Sequence, residues 1–155
     1  MKELKFNEEM QRAIDEGRKT QTRRVITFKN GTLAEDEDIP ASFEDGSTEN
    51  YVMDFTEHFP YWEPFYCPFG QIGDINNGVK ITDIRVERLH DITENDASAE
   101  GAMNQFEKHG ISKSSSSSWY AINDFRNIWK SIYPNHPTKA WELNPWVWVI
   151  TFEKA

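Results

Sequence analysis

The chain has 155 residues, of which 26 are Asp or Glu and 17 are Lys or Arg, giving a formal charge of −9 at pH 7. That length suits one domain able to close a core without disulfides or metal, and the acidity argues against a protein that coats long polyphosphates, which needs clustered cations to displace counterions. Aromatics make up 14% of the residues, which predicts a core built more on Trp, Tyr and Phe than on Leu.

The lone Cys67 leaves no partner for an internal disulfide, and His58, His90, His109 and His136 are scattered without metal-ligand spacing. No cofactor, no metal and a reducing compartment are therefore expected. Neither the segment Met1–Phe6 nor any later stretch has the apolar run of a signal peptide or a membrane span. The expectation is a cytoplasmic protein with no membrane partner; its oligomeric state is left open.

Residues Lys2 to Phe6 are expected to pair as a short strand, followed by a helix over Glu8 to Glu16 with Met10, Ala13 and Ile14 on one side. Asn7 is a good N-cap, Glu8 and Glu9 suit the positive end of the helix dipole, and Gly17 is a left-handed stop. A basic turn, Arg18-Lys19-Thr20-Gln21-Thr22-Arg23-Arg24, comes next, and Val25, Ile26 and Phe28 predict a second strand.

From about residue 30 to 71 the chain reads as a long excursion, opening with an acidic run at Glu35–Asp38 and closing with many aromatics, among them Tyr61, Trp62 and Tyr66. That second half is expected to pack onto the domain, over a ligand site. Gly73-Asp74 signals a turn, Val79 to Leu89 a strand with an irregularity near Asp83, and Thr93-Glu94-Asn95-Asp96 a capping box opening a helix that ends near Glu100-Gly101.

Residues 112–118 are serine-rich and read as a flexible loop. Phe125, Ile128, Trp129 and Ile132 recur at helical spacing, predicting an amphipathic helix from about Ala121 to Tyr133 that stops at Pro134. Trp146 to Phe152 is apolar on both faces and predicts a central strand.

Several of these stretches carry a resemblance. The helix ending at Gly17 with the basic heptapeptide, the Gly73-Asp74 turn, Val86 to Thr93, Ala99-Glu100-Gly101 and the closing Asn144 to Val149 together resemble ASCH domains, most closely those of phages and prophages. The likeness covers nearly the whole chain apart from the acidic excursion and the serine loop. It implies an α+β fold, a PUA-like β-barrel with flanking helices around a cleft, here a single domain over 1–155 with one long aromatic-rich insertion. It also implies binding of RNA or of a modified nucleoside. The segment Gly73-Asp74-Ile75-Asn76-Asn77-Gly78 departs from the aromatic strand ending in Arg-Glu that usually follows the turn in the phage proteins.

Within that superfamily, small amidohydrolases that remove the acyl group of N4-acetylcytidine use a lysine, a threonine three residues later and a distant glutamate. Lys19, Thr22 and Glu100 stand in the corresponding places, inside Lys19-Thr20-Gln21-Thr22 and just after a helix. In chemical terms, a threonine hydroxyl needs a base to become a nucleophile, lysine can serve when partly neutral, and a carboxyl can pass a proton to the leaving amine. A close Glu100 would also favour charged, inert lysine.

Arg18, Gln21, Arg23 and Arg24 are candidate contacts to a nucleoside or nucleic acid, while Arg23 and Arg24 are equally suited to pair with acids such as Glu87 or Asp91. Three alternatives stay open: a noncatalytic module binding RNA or a modified nucleoside, an amidohydrolase, and a phage protein-interaction module. Trp129, Trp146 and Trp148 are expected in the core, and Cys67, without a basic neighbour, as a small hydrophobe.

Overall fold

A computed structural model of the chain describes residues 1–27, 67–103, 108 and 120–155. The bulk of the predicted excursion and the whole serine-rich loop lie outside the described residues. The fold is α+β, with a curled four-stranded antiparallel sheet in the order β1-β4-β3-β2. The strands are β1 (Gln21–Val25), β2 (Ile75–Asn76), β3 (Val79–Arg88) and β4 (Trp146–Lys154). The chain divides into two compact units.

The first unit comprises Met1–Lys5, Arg23–Glu87 and Trp146–Ala155. Its central strand is β4, in which Val147, Trp148, Val149 and Ile150 are all buried. Consecutive buried residues mean that both faces are covered, as the apolar run predicts. Strand β3 follows β2 through Asn77-Gly78, whose φ angles of 47° and 80° are the two positive values that a two-residue turn of right-handed twist requires. The departing segment after Asp74 is thus a tight hairpin, and β3 runs on as one strand to Arg88, its buried positions stepping from Val79 and Ile81 to Ile84, so the inward alternation slips by one residue at the irregularity expected near Asp83.

The predicted strand at Lys2 to Phe6 is absent. Its backbone bonds go instead to the buried side chain of Asn76, which accepts from the Leu4 amide at 3.0 Å and donates to the carbonyls of Lys2 at 2.9 Å and Phe69 at 2.8 Å. Asn77 Nδ2 donates to the Leu4 carbonyl, and the Lys2 amide reaches the Pro68 carbonyl. Two asparagine side chains do the work of a neighbouring strand, which satisfies backbone groups that would otherwise be costly to bury. Cys67, at the start of this corner, is buried; burial pushes its thiol from 9.0 to about 11, only partly countered by backbone hydrogen bonds from Phe69 and Gly70.

The second unit comprises Phe6–Thr22 and Arg88–Pro145. Helix α1 (Glu8–Asp15) starts where the Asn7 side chain accepts from the Met10 amide at 2.8 Å, and it buries Ala13 and Ile14. Helix α2 (Glu94–Ala99) opens with the predicted capping box, the Thr93 hydroxyl and Asp96 carboxylate each accepting from the other's backbone amide. Helix α3 (Ala121–Ile132) buries Ala121, Asp124, Phe125 and Trp129, whose indole donates to the Lys139 carbonyl at 2.7 Å. Ile128 and Ile132, predicted on the inner face, stay more than a third exposed because the buried arc is centred on Ala121, Phe125 and Trp129.

Tyr120, the cap of α3, has no capping side chain of its own. The Glu94 carboxylate of α2 fills that role, accepting from the amides of Ala121 at 2.6 Å and Ile122 at 3.2 Å. A carboxylate there satisfies orphan donors and meets the positive end of the helix dipole. No helix among the described residues is long and apolar enough to cross a membrane.

Candidate functional site

The site is built where the chain leaves α1 and passes the end of α2. The Ala13 carbonyl accepts from the amides of both Arg18 and Lys19, at 2.8 and 3.0 Å, so the chain folds back over the end of its own helix. The Thr20 amide then donates to the Ala99 carbonyl at 2.8 Å, and Lys19 and Glu100 form an isolated antiparallel bridge. Backbone pairing alone therefore sets Lys19 beside Glu100.

The side chains complete the pairing. Lys19 Nζ lies 2.9 Å from Glu100 Oε2, 3.0 Å from the Glu100 carbonyl and 2.8 Å from the Gln21 carbonyl. An ammonium has three donors, and here three acceptors meet it. The side chains of Lys19 and Glu100 are 2% and 6% exposed, so the ion pair is withdrawn from water. Desolvating two charges costs several kcal/mol in general, and only such dense hydrogen bonding offsets it.

Thr22 sits one peptide beyond the carbonyl that holds Lys19 and is 1% exposed. The structure thus brings Lys19 to Glu100 by side chain, and to the backbone carbonyl of Gln21, the residue before Thr22. Gln21 is itself buried, and its amide donates to Asp96 Oδ1 at 3.4 Å, a long contact. Arg18 is about a third exposed; its guanidinium donates to Glu16 Oε2 at 2.7 Å and to the Gly101 carbonyl at 3.3 Å.

The heptapeptide is not one basic turn. From Gln21 onward it is strand β1, and only Arg18 to Thr20 belong to the turn. A sequence rich in Arg and Thr reads as a loop by charge, whereas pairing with the apolar β4 makes it a strand. Arg23 and Arg24 fall in the other compact unit. Arg23, with a fully buried side chain, is ion-paired to Glu87 on β3, which also lies 3.7 Å from Arg85. Arg24 donates to the carbonyls of Arg23 and Lys5, each at 2.9 Å.

Of the seven residues singled out from the sequence, Arg18, Lys19, Gln21, Thr22 and Glu100 share one compact unit, and the two arginines of β1 are engaged elsewhere. Asp96 and Ala13 were not foreseen at the site, since a carboxylate in a capping box and a helix carbonyl carry no spacing signal. Among the described residues no group of three or more His, Cys, Asp and Glu is arranged to hold a metal ion. Trp148 and Trp129 are buried, as core aromatics should be. No family model matches the chain, and no curated protein or solved structure matches it either.

Proposed function

We propose that the chain is an ASCH-type, PUA-like domain that acts as an amidohydrolase on a small N-acylated nucleoside of the N4-acetylcytidine kind. The observation that carries this is the buried contact of 2.9 Å between Lys19 and Glu100, with the buried Thr22 following the residue whose carbonyl also holds Lys19. A charged pair held out of water at such density is costly to keep and suits chemistry that needs proton transfer. The formal charge of −9 and the commitment of Arg23 to Glu87 both favour a nucleoside-sized ligand over a long polyanion.

A proton passes from Lys19 Nζ to Glu100 Oε2, leaving a neutral amine beside a neutral acid. Lys19 takes the hydroxyl proton of Thr22 as its Oγ1 bonds to the acyl carbonyl carbon, and the tetrahedral intermediate collapses with cleavage of the C–N bond. Glu100 gives its proton to the leaving nitrogen, which departs as the free amine. Water then attacks the Thr22 ester, yielding its proton through the same pair, and Thr22 recovers its hydroxyl as the carboxylic acid leaves.

The test is release of cytidine from N4-acetylcytidine by purified protein, compared with Lys19→Ala, Thr22→Ala and Glu100→Ala. Loss of roughly a hundredfold or more in kcat in each variant is expected, the scale of one acid–base or nucleophilic group. No turnover, or turnover that survives all three changes, rejects the amidohydrolase.

One observation favours a second function, binding without turnover. The three acceptors around Lys19 Nζ hold it as an ammonium, the form that binds but does not abstract protons. A modified nucleoside or a short single-stranded RNA then binds saturably, with Arg18 as the partly exposed cation. Calorimetric titration with N4-acetylcytidine and with single-stranded RNA, each at two salt concentrations, separates the two ligands, and heats that do not saturate for either reject binding.

A further inference from the structure

Two glycines flank the Lys19–Glu100 pair, Gly17 after α1 and Gly101 after α2, and both have positive φ, 77° and 93°. Backbone conformation alone would explain glycine at either. Their surroundings differ. A Cβ built on Gly17 meets nothing within 4 Å, whereas one built on Gly101 lies 3.3 Å from Ala13 Cβ, 3.3 Å from Lys19 Cβ and 3.8 Å from Lys19 Cγ.

The missing Cβ of Gly101 thus marks the point where the exit of α1, the stem of Lys19 and the exit of α2 close on one another. The same residue's carbonyl accepts from Arg18, and its neighbour Glu100 supplies both a carboxylate and a carbonyl to Lys19 Nζ. The geometry points to Gly101 as a positioning residue: its hydrogen lets the end of α2 approach the Lys19 stem closely enough for Glu100 to hold the ammonium with two oxygens at once. This deepens the proposed site, and it bears on that site's function because a pair spread apart would no longer hold Lys19 protected. A methyl group at position 101 comes unusually close to Ala13 Cβ and Lys19 Cβ, atoms at the roots of their side chains, so the exits of the two helices must give by a few tenths of an ångström where Lys19 meets Glu100.

The experiment reads the pair directly and needs no turnover, so its failure is distinct from failure of the amidohydrolase. Acetylation of Lys19 by acetic anhydride is followed by peptide mass spectrometry, well below each variant's melting transition, and normalised to the exposed Lys80. In the unaltered protein Lys19 is protected. Gly17→Ala and Gly101→Ala both lower the melting temperature through backbone strain. Gly101→Ala is expected to raise the Lys19 rate about tenfold or more, and Gly17→Ala less than about twofold, because only the former opens the pair locally.

Adding Ala13→Gly to Gly101→Ala removes one of the two closest contacts and is expected to restore part of the protection. Equal Lys19 rates in the two single variants, or a double variant no better protected than Gly101→Ala, overturn the proposal. Should Gly101→Ala not fold, the double variant decides: recovery of a folded protein with protected Lys19 supports the crowding at Ala13 and Lys19, and a double variant that also fails to fold overturns it. If the protein turns over an acylated nucleoside, Gly101→Ala lowers kcat with little change in KM.

Discussion

Lys19 and Glu100, 81 positions apart, meet twice, once through a backbone bridge and once through a buried ion pair. Removing either side chain leaves the other charge without its counter-ion in a site closed to water, which costs about 3–5 kcal/mol. Glu100→Ala is therefore expected to lower the urea midpoint sharply. The double variant Lys19→Met/Glu100→Leu should recover most of that stability, since an apolar pair of similar volume carries no desolvation penalty, while abolishing any turnover. Urea denaturation of the wild type, the two single variants and the double variant checks this, and strictly additive losses contradict it.

Arg23 and Arg18 should separate by phenotype. Arg23 is fully buried against Glu87, so Arg23→Ala is expected to cost about 3–5 kcal/mol of stability. Arg18 is partly exposed, so Arg18→Ala is expected to change stability by less than about 1 kcal/mol and to weaken ligand binding instead. Melting curves beside calorimetric titrations with N4-acetylcytidine distinguish the two. A binding loss confined to Arg23→Ala reverses the assignment.

Cys67 sets an alkaline limit. Its folded pKa is raised from 9.0 to about 11, so its thiol form stabilises the fold below pH 9, and that contribution fades as pH rises towards about 11, where the folded protein too must lose the proton. The contribution is on the order of 2 kcal/mol. Stability measured by urea denaturation between pH 8 and 11 is expected to fall more steeply in the wild type than in Cys67→Ala. At neutral pH the buried thiol should react with a disulfide reagent only when the protein unfolds, because the thiolate is the reacting form.

Asn76→Ala removes the partner of three backbone groups at once and is expected to destabilise by about 2–4 kcal/mol. The specific signature is hydrogen exchange at the Leu4 amide, which should approach the rate of an open chain while β4 amides keep most of their protection. Unchanged Leu4 exchange refutes the anchor.

Glu94→Ala strips α3 of a cap supplied from another helix, with an expected loss of about 1–2 kcal/mol. Glu94→Gln should recover part of it, since an amide oxygen still accepts but no longer carries charge to the dipole. Denaturation curves of the two variants test both the direction and the order.

What could be read from the sequence was what local chemistry governs. Asn7, Thr93 with Asp96, and the apolar run from Trp146 mark their elements because caps and periodicity act over a few residues. Glu100 comes into view only through the resemblance to the amidohydrolase pattern, and the structure sets its side chain against that of Lys19. Three features stayed hidden, each because its cause lies far along the chain. Lys2 to Phe6 read as a strand, but the amide of Leu4 and the carbonyl of Lys2 pair with the Asn76 side chain. Gln21 to Arg24 read as the second half of a charged turn, but pairing with β4 makes them the body of a strand. Glu94 reads in the sequence only as part of the capping box that opens its own helix, whereas its carboxylate caps the next helix.

The bond from the Leu4 amide to Asn76 spans 72 positions. During synthesis at about 5–20 residues per second, Leu4 waits roughly 4–14 s before its partner has even been made. Leu4 thus stays without this hydrogen bond until Asn76 has been made, and Ile26, whose amide pairs with the Trp146 carbonyl, waits longer still. A nascent chain stalled before Asn76 carries that segment loose, so pausing within residues 30–70 would lengthen its exposure to proteases and chaperones without altering a single contact of the finished protein.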